Sequence, residues 1–294
     1  MNRKRSNRLA IFVFAFPALL VYTAFVVYPL IPTILISFQE NDGFLSRGFV
    51  GFANYRDAIF TKQFLQASLN TFKTVFMSTF VALPLSLLVA IVLDRQADWM
   101  KRFFKIASLV PYILSVTVIA QLWMVIYQPQ WGLLDTILRT VGLQALSKDW
   151  LGNESTSFNS LIVTYLWQYF GFTTLLFYSG IKSIPKTFYE AALIDGATFF
   201  QTIIKITVPL LQEIIKFVLN ISIINCMGMF AIVKIMTNGG PGYSSRSLVY
   251  QLYYVSFNIQ DFGQGCAIAI VFILECILLT YLINRTIARE KLEY

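Results

Sequence analysis

About 20 mostly apolar residues suffice to cross roughly 30 Å of hydrocarbon, and this chain carries six such stretches: about 9–36, 68–93, 103–127, 159–181, 211–236 and 264–286. A chain built this way folds as an all-α membrane protein, because a helix satisfies its own backbone polar groups where no water reaches. The first stretch is expected to be an uncleaved span. Its apolar run is about twice the usual signal-peptide length, it holds Pro17, Pro29 and Pro32, and no small-residue cleavage site closes it. Only 13% of the 294 residues are charged, about half the share of a soluble domain.

The basic residues orient the spans. With the N-terminus inside, the inner segments hold Arg3, Lys4, Arg5, Arg8, Arg95, Lys101, Arg102, Lys105, Lys182, Lys186, Lys205, Lys216, Arg285, Arg289 and Lys291. The outer ones hold Arg47, Arg56, Lys62, Arg139, Lys148 and Arg246. Both termini are therefore expected to be cytoplasmic. The net charge of +8 is spread between apolar runs and does not form the basic face that nucleic acid requires. There is no histidine, and the three cysteines lie in or near apolar stretches, so neither a metal centre nor a catalytic residue is expected. The segments divide into 1–67 (first span and outer loop), a 68–286 core and a 287–294 tail. The inner loop 94–102 reads as a plain charged turn.

The inner segment 182–210 is patterned. Pro185 suits a first helical turn, Phe188–Ile194 is amphipathic, and Gly196 is a natural helix stop. Thr198 and Gln201 have capping-box spacing for a second helix, and Pro209 is expected to kink the entry to the fifth span. Ala191 and Ala192 leave a flat face beside Phe188, Tyr189 and Leu193. Such a face suits a partner's groove; an amphipathic helix on the lipid surface fits the local pattern equally.

Glu190-Ala191-Ala192, three residues, Gly196, nine residues, then Ile206 and Val208-Pro209 resembles the EAA loop of ABC importer permeases. Phe49–Tyr55, Arg102-Phe-Phe before Val110-Pro111-Tyr112, Trp167-Gln168, Ser183-Ile-Pro185 and Met236–Pro241 resemble the carbohydrate-uptake branch. The resemblance implies a type I ABC importer permease fold with six transmembrane helices in a bacterial cytoplasmic membrane. It implies three kinds of partner besides membrane lipid: a second permease subunit, two ATPase subunits and an extracytoplasmic solute-binding protein. It makes Glu190, Ala191, Ala192, Asp195, Gly196 and Pro209 the ATPase-coupling element. ATP and Mg belong to the ATPase, since this chain has no P-loop motif; no cofactor is expected on the chain itself. The substrate implied is a sugar, with an oligosaccharide, an acidic sugar and glycerol 3-phosphate as alternatives. An ion-coupled secondary transporter would leave the patterned loop unexplained.

Polar and aromatic groups within the spans mark pathway candidates: Gln121, Trp167, Gln168, Tyr169, Asn220, Asn225, Gly228 and Glu275. Amides, hydroxyls and rings hold sugars, and the same groups also join helices. Glu275 falls near the bilayer middle, where an ionised carboxylate is costly. Lys73 and Lys234 are near enough to the outer face to snorkel.

Overall fold

The computed structural model describes residues 12, 14–43 and 45–286. The bases Arg3, Lys4, Arg5, Arg8, Arg289 and Lys291, and the whole 287–294 tail, lie outside the described residues. Long apolar helices are α1 (Phe14–Ser37), α3 (Lys62–Asp94), α7 (Ser157–Ser183), α10 (Gln212–Met236) and α12 (Phe262–Thr286). Shorter helices are α2 (Ala53–Ile59), α4 (Asp98–Ile113), α5 (Val116–Ile126), α6 (Leu133–Thr140), α8 (Lys186–Ile194), α9 (Phe199–Leu210) and α11 (Leu248–Tyr253).

The expected third span is not one straight helix. It is the pair α4 and α5, bent by 98°. Leu114 and Ser115 take extended backbone angles, and the Ser115 hydroxyl accepts the Val118 N–H at 3.4 Å, so a new helix starts there. Pro111 has no N–H to carry the earlier helix forward. The described residues thus hold five helices of spanning length, or six spans if the bent pair counts as one.

The helices α1, α3 and α9 each contain a widened π turn: Thr23–Val27, Ser78–Ala82 and Ile203–Thr207. Each ends two residues before a proline, at Pro29, Pro84 and Pro209. A proline ring presses on the carbonyl four residues earlier. Inserting one residue around that carbonyl relieves the clash without breaking the helix. A π turn precedes Pro209, and the chain breaks two residues after it at Leu211, where α10 begins.

The chain divides into two compact units, residues 1–61 with 252–273, and residues 62–251 with 274–294. The first unit holds α1 and the opening turns of α12. In that unit Gln39–Asn41 and Ser46–Phe49 form an antiparallel hairpin. Asn54 donates from Nδ2 to the Ser37 and Gln39 carbonyls at 2.9 and 2.8 Å, joining helix end, hairpin and α2. Gly263 lies directly against the Gln39 carbonyl and Asn54, where a Cβ would not fit.

In the second unit α7 is the central element. Gly171 backs onto the Ser108 carbonyl of α4, and Gly180 onto Leu211 and Ile214 at the start of α10. Ser86 of α3 and Thr173 of α7 share a hydrogen bond of 3.0 Å. Tyr165 donates to the Asn225 carbonyl of α10 at 2.7 Å. The apolar core gathers at one end of this helix, from Leu83, Ile91, Phe177, Tyr178, Ile181, Ile184, Leu211 and Val218.

Gly171→Leu is expected to force α4 and α7 apart and to lower the thermal stability of the purified protein markedly. Overpacking a tight contact costs roughly 1–3 kcal/mol or more. Gly228→Ala, where a Cβ meets nothing closer than 3.5 Å, is expected to be near neutral in the same melt. Equal melting temperatures for the two variants would refute this packing.

Candidate functional site

The patterned segment forms the two expected helices, α8 and α9. Gly196 has φ +70°, the left-handed region that glycine enters freely. The Ala197 N–H returns to the Ala192 carbonyl at 2.9 Å and the Gly196 N–H to Leu193 at 3.2 Å, a Schellman stop. Thr198 then opens α9: its hydroxyl accepts the Gln201 N–H at 3.4 Å, and the Gln201 side chain accepts the Thr198 N–H at 2.8 Å. The two motifs together make a fixed corner.

The faces of α8 differ from the expected ones. Ala192 is buried, and Tyr189 packs against the core with its hydroxyl 3.4 Å from Thr207. The flat face therefore does not combine Ala191 with Ala192, since Ala192 is turned inward onto the chain itself. Glu190, Ala191, Asp195 and Gly196 are exposed. The helix ends in a bare apolar tip, with Leu193 and Ile194 exposed at 76% and 86% and Phe200 at 72%.

The turn 94–102 is more than a charged loop. Asp94 pairs with Lys182 of α7 at 2.5 Å, and the Arg95 guanidinium sits 3.9 Å over the Phe199 ring. The end of α3 is thus tied to both α7 and α9. Asp94, Arg95, Tyr189, Phe199 and Thr207 border a pocket between them. The sequence signal was available: opposite charges at two span ends, and an aromatic at the start of α9.

The pathway candidates do not all meet. Tyr169 and Asn225 line one narrow, mostly apolar crevice between α3, α7 and α10, with Ser78, Tyr165, Thr173 and Ser222. Trp167 is half-exposed and meets the Trp123 ring edge-on at 5.5 Å. Gln168 is buried in α7, and Gln121 is exposed on α5. Asn220 donates to the Lys216 carbonyl and to Asn284 of α12 at 3.3 Å, which joins two helices. Gly228 closes the first part of α10, and Glu275 lies on α12 with Oε2 buried and without a hydrogen-bond partner among the described residues. Tyr165 was not singled out from the sequence, although it stands one helical turn from Tyr169.

At the opposite end of α7 from α8, residues 237–247 form a folded knot. Asn70 donates to the Ser244 and Arg246 carbonyls at 2.7 and 2.9 Å, and the Leu248 N–H reaches the Thr71 hydroxyl at 2.9 Å. Ser247 donates to the Met229 carbonyl at 2.5 Å, satisfying a group released where α10 is interrupted at 228–230. Tyr250 donates to the Asn238 carbonyl at 2.7 Å, and Lys234 to the Asn238 side chain at 2.9 Å. The glycines Gly239, Gly240 and Gly242 lie in this turn, and Asn70, Ser245 and Arg246, its anchors, were not singled out from the sequence.

A solved bacterial ABC transporter involved in the import of the acidic polysaccharide alginate has a chain that superposes with a TM-score of 0.83, covering 97% of each chain at 20% identity. The fold is that of a type I ABC importer permease. Residues 68–291 match the binding-protein-dependent transport system inner membrane component family, and the chain belongs to it. It is a permease subunit, without catalytic activity of its own. Among its relatives are the probable ABC transporter permease protein YurN of Bacillus subtilis, 33% identical over 90% of this chain and 91% of that one. The arabinooligosaccharides transport system permease protein AraP of the same organism is 32% identical over 92% and 85%. The trehalose/maltose transport system permease protein MalF of Thermococcus litoralis is 30% identical over 87% and 85%.

Gly196→Val is expected to strain the corner by roughly 1–2 kcal/mol, the cost of the left-handed region for a residue with a Cβ. Amide exchange should rise across 192–202 while α7 stays protected. Arg95→Ala should raise exchange in α9 alone; unchanged exchange there would show that the ring contact holds nothing.

Proposed function

We propose that the chain is a translocating subunit of an ATP-driven, binding-protein-dependent sugar importer. An oligosaccharide is the favoured cargo. It forms half of the pathway, beside a second permease subunit, in a bacterial cytoplasmic membrane. The names of AraP and MalF support the cargo class. The crevice at Tyr169 and Asn225 supports the site: rings and amides at its wall suit a polyhydroxylated ligand.

The observation that carries the coupling role is the exposed tip of α8. Leu193, Ile194 and Phe200 stand bare at a rigid corner, with Glu190 and Asp195 beside them. Apolar anchors on a short helix fit a groove on an ATPase subunit, and the two carboxylates suit basic groups at its rim. ATP and Mg are bound by that partner. Motion of the groove reaches the spans through Tyr189, Thr207 and the ties of Asp94 and Arg95. An acidic sugar needs a cation in the pathway. Lys234, the nearest sequence candidate, is engaged by Asn238 and lies 6.0 Å from the Tyr250 ring centre, which favours a neutral cargo.

Ile194→Glu is expected to reduce co-purification of the ATPase at least tenfold while leaving permease yield unchanged. Full recovery of the ATPase would overturn the docking. Asn225→Ala is expected to lower uptake several-fold with the complex intact; normal uptake and affinity would move the pathway elsewhere. A binding screen on the cognate binding protein tests the cargo. For orientation, Thr187→Cys in a background free of Cys226, Cys266 and Cys276 should resist an impermeant thiol reagent from outside, while Lys148→Cys should react.

A further inference from the structure

The short helix α6 is amphipathic in the reverse of the sense required at a water-facing surface. Its one carboxylate, Asp135, is buried with 1% exposure, held by Arg139 Nε at 2.9 Å and by the Ser147 hydroxyl. Leu133, Ile137 and Val141 follow one stripe on the other side and are exposed at 57, 49 and 63%. Trp131 and Leu146 are also bare. A water-facing helix would bury that stripe and expose the carboxylate.

The level of α6 along the spans is set by its neighbours. Gly132 packs onto the Ile126 and Gln128 carbonyls, so α6 starts within one turn of the end of α5. Tyr127 donates to the Ser160 carbonyl at 3.1 Å, which ties that end of α5 to the first turn of α7. This is the end of α7 away from α8, where the apolar helices α5 and α7 stop and start. Val118 and Val125 of the neighbouring α5 are exposed apolar residues as well.

We infer that α6 is an in-plane membrane-surface helix, its stripe of Leu133, Ile137 and Val141 sunk into the leaflet opposite the coupling loop, its Asp135 side turned to the protein and the half-exposed Arg139 between the two. An apolar stripe beside a span exit, with a tryptophan at its edge, fits the headgroup–acyl boundary. Its role is to fix the height of the 128–158 connection relative to the bilayer. The inference rests on membership of the membrane-permease family and does not depend on the cargo.

The test places a nitroxide at Ile137→Cys in the permease co-purified with its partner subunits and reconstituted in phospholipid nanodiscs, with the native cysteines replaced. A label at Lys148→Cys is the water-exposed reference. Oxygen should relax the Ile137 label several-fold more than a water-soluble nickel chelate does, with the ratio reversed at Lys148. The expected depth is roughly 5–10 Å below the headgroup boundary. Nickel access equal to that at Lys148 would overturn the inference in favour of water. An immobilised label shielded from both agents would overturn it in favour of a protein contact. If Ile137→Cys lowers the yield of the complex, the same measurement at Val141→Cys decides.

Discussion

A peptide group in hydrocarbon has no water to bond, so every departure from α-helix inside the membrane must find another partner. This constraint explains where the side chains of the second unit are spent. The break between α4 and α5 is capped by Ser115. The interruption of α10 frees the Met229 carbonyl, and Ser247 occupies it. Beyond the end of the spans the same holds for backbone buried in protein: Asn70 and Thr71 bind the main chain of residues 244–248. Several buried polar residues among the described residues are thus the means by which irregular backbone is tolerated, while others, such as Thr164 and Thr174, bond a carbonyl of their own helix.

The same logic makes α7 the centre of the second unit. Gly171 brings the backbones of α4 and α7 within van der Waals reach, and Gly180 makes room for the Leu211 and Ile214 side chains, the close approach that holds helices together when lipid is as apolar as leucine. The core lies at the end next to α8. Tyr189 and Ala192 insert into or against that packed end, so the loop helix is an extension of the spans and not an appendage. The corner at Gly196 and Thr198 then sets the angle at which α8 and α9 leave it.

Much of this was legible in the residues. Span positions follow from length and hydropathy, and the loop's two helices follow from local chemistry: a glycine stop and a Thr–Gln capping box, both present as read. What escaped was tertiary. Nothing in a 3.6-residue period distinguishes Ala191, exposed, from Ala192, buried one residue later; the packing of Tyr189 decides it. Asp94, Lys182, Arg95 and Phe199 are distant in sequence, so their pairing could not be counted from spacing. The 98° bend between α4 and α5 was marked by Pro111 and Ser115, but the surrounding hydropathy is continuous and hid it. Asn220 and Asn225 are the same residue type on one helix, about 140° apart around its axis; one joins α12 and the other borders the crevice.

The π turn ahead of Pro209 has a geometric effect of its own. Each residue of an α-helix advances about 100° around the axis, so one inserted residue shifts the phase of everything beyond it. Phe200, Ile204, Thr207 and Leu211 would share one side of an unbroken α-helix. Here Phe200 and Ile204 are exposed, while Thr207 and Leu211 are buried. One extra residue therefore lets the chain change sides in the course of a few turns, presenting apolar groups outward at the loop and inward at the core without a connecting loop between the two.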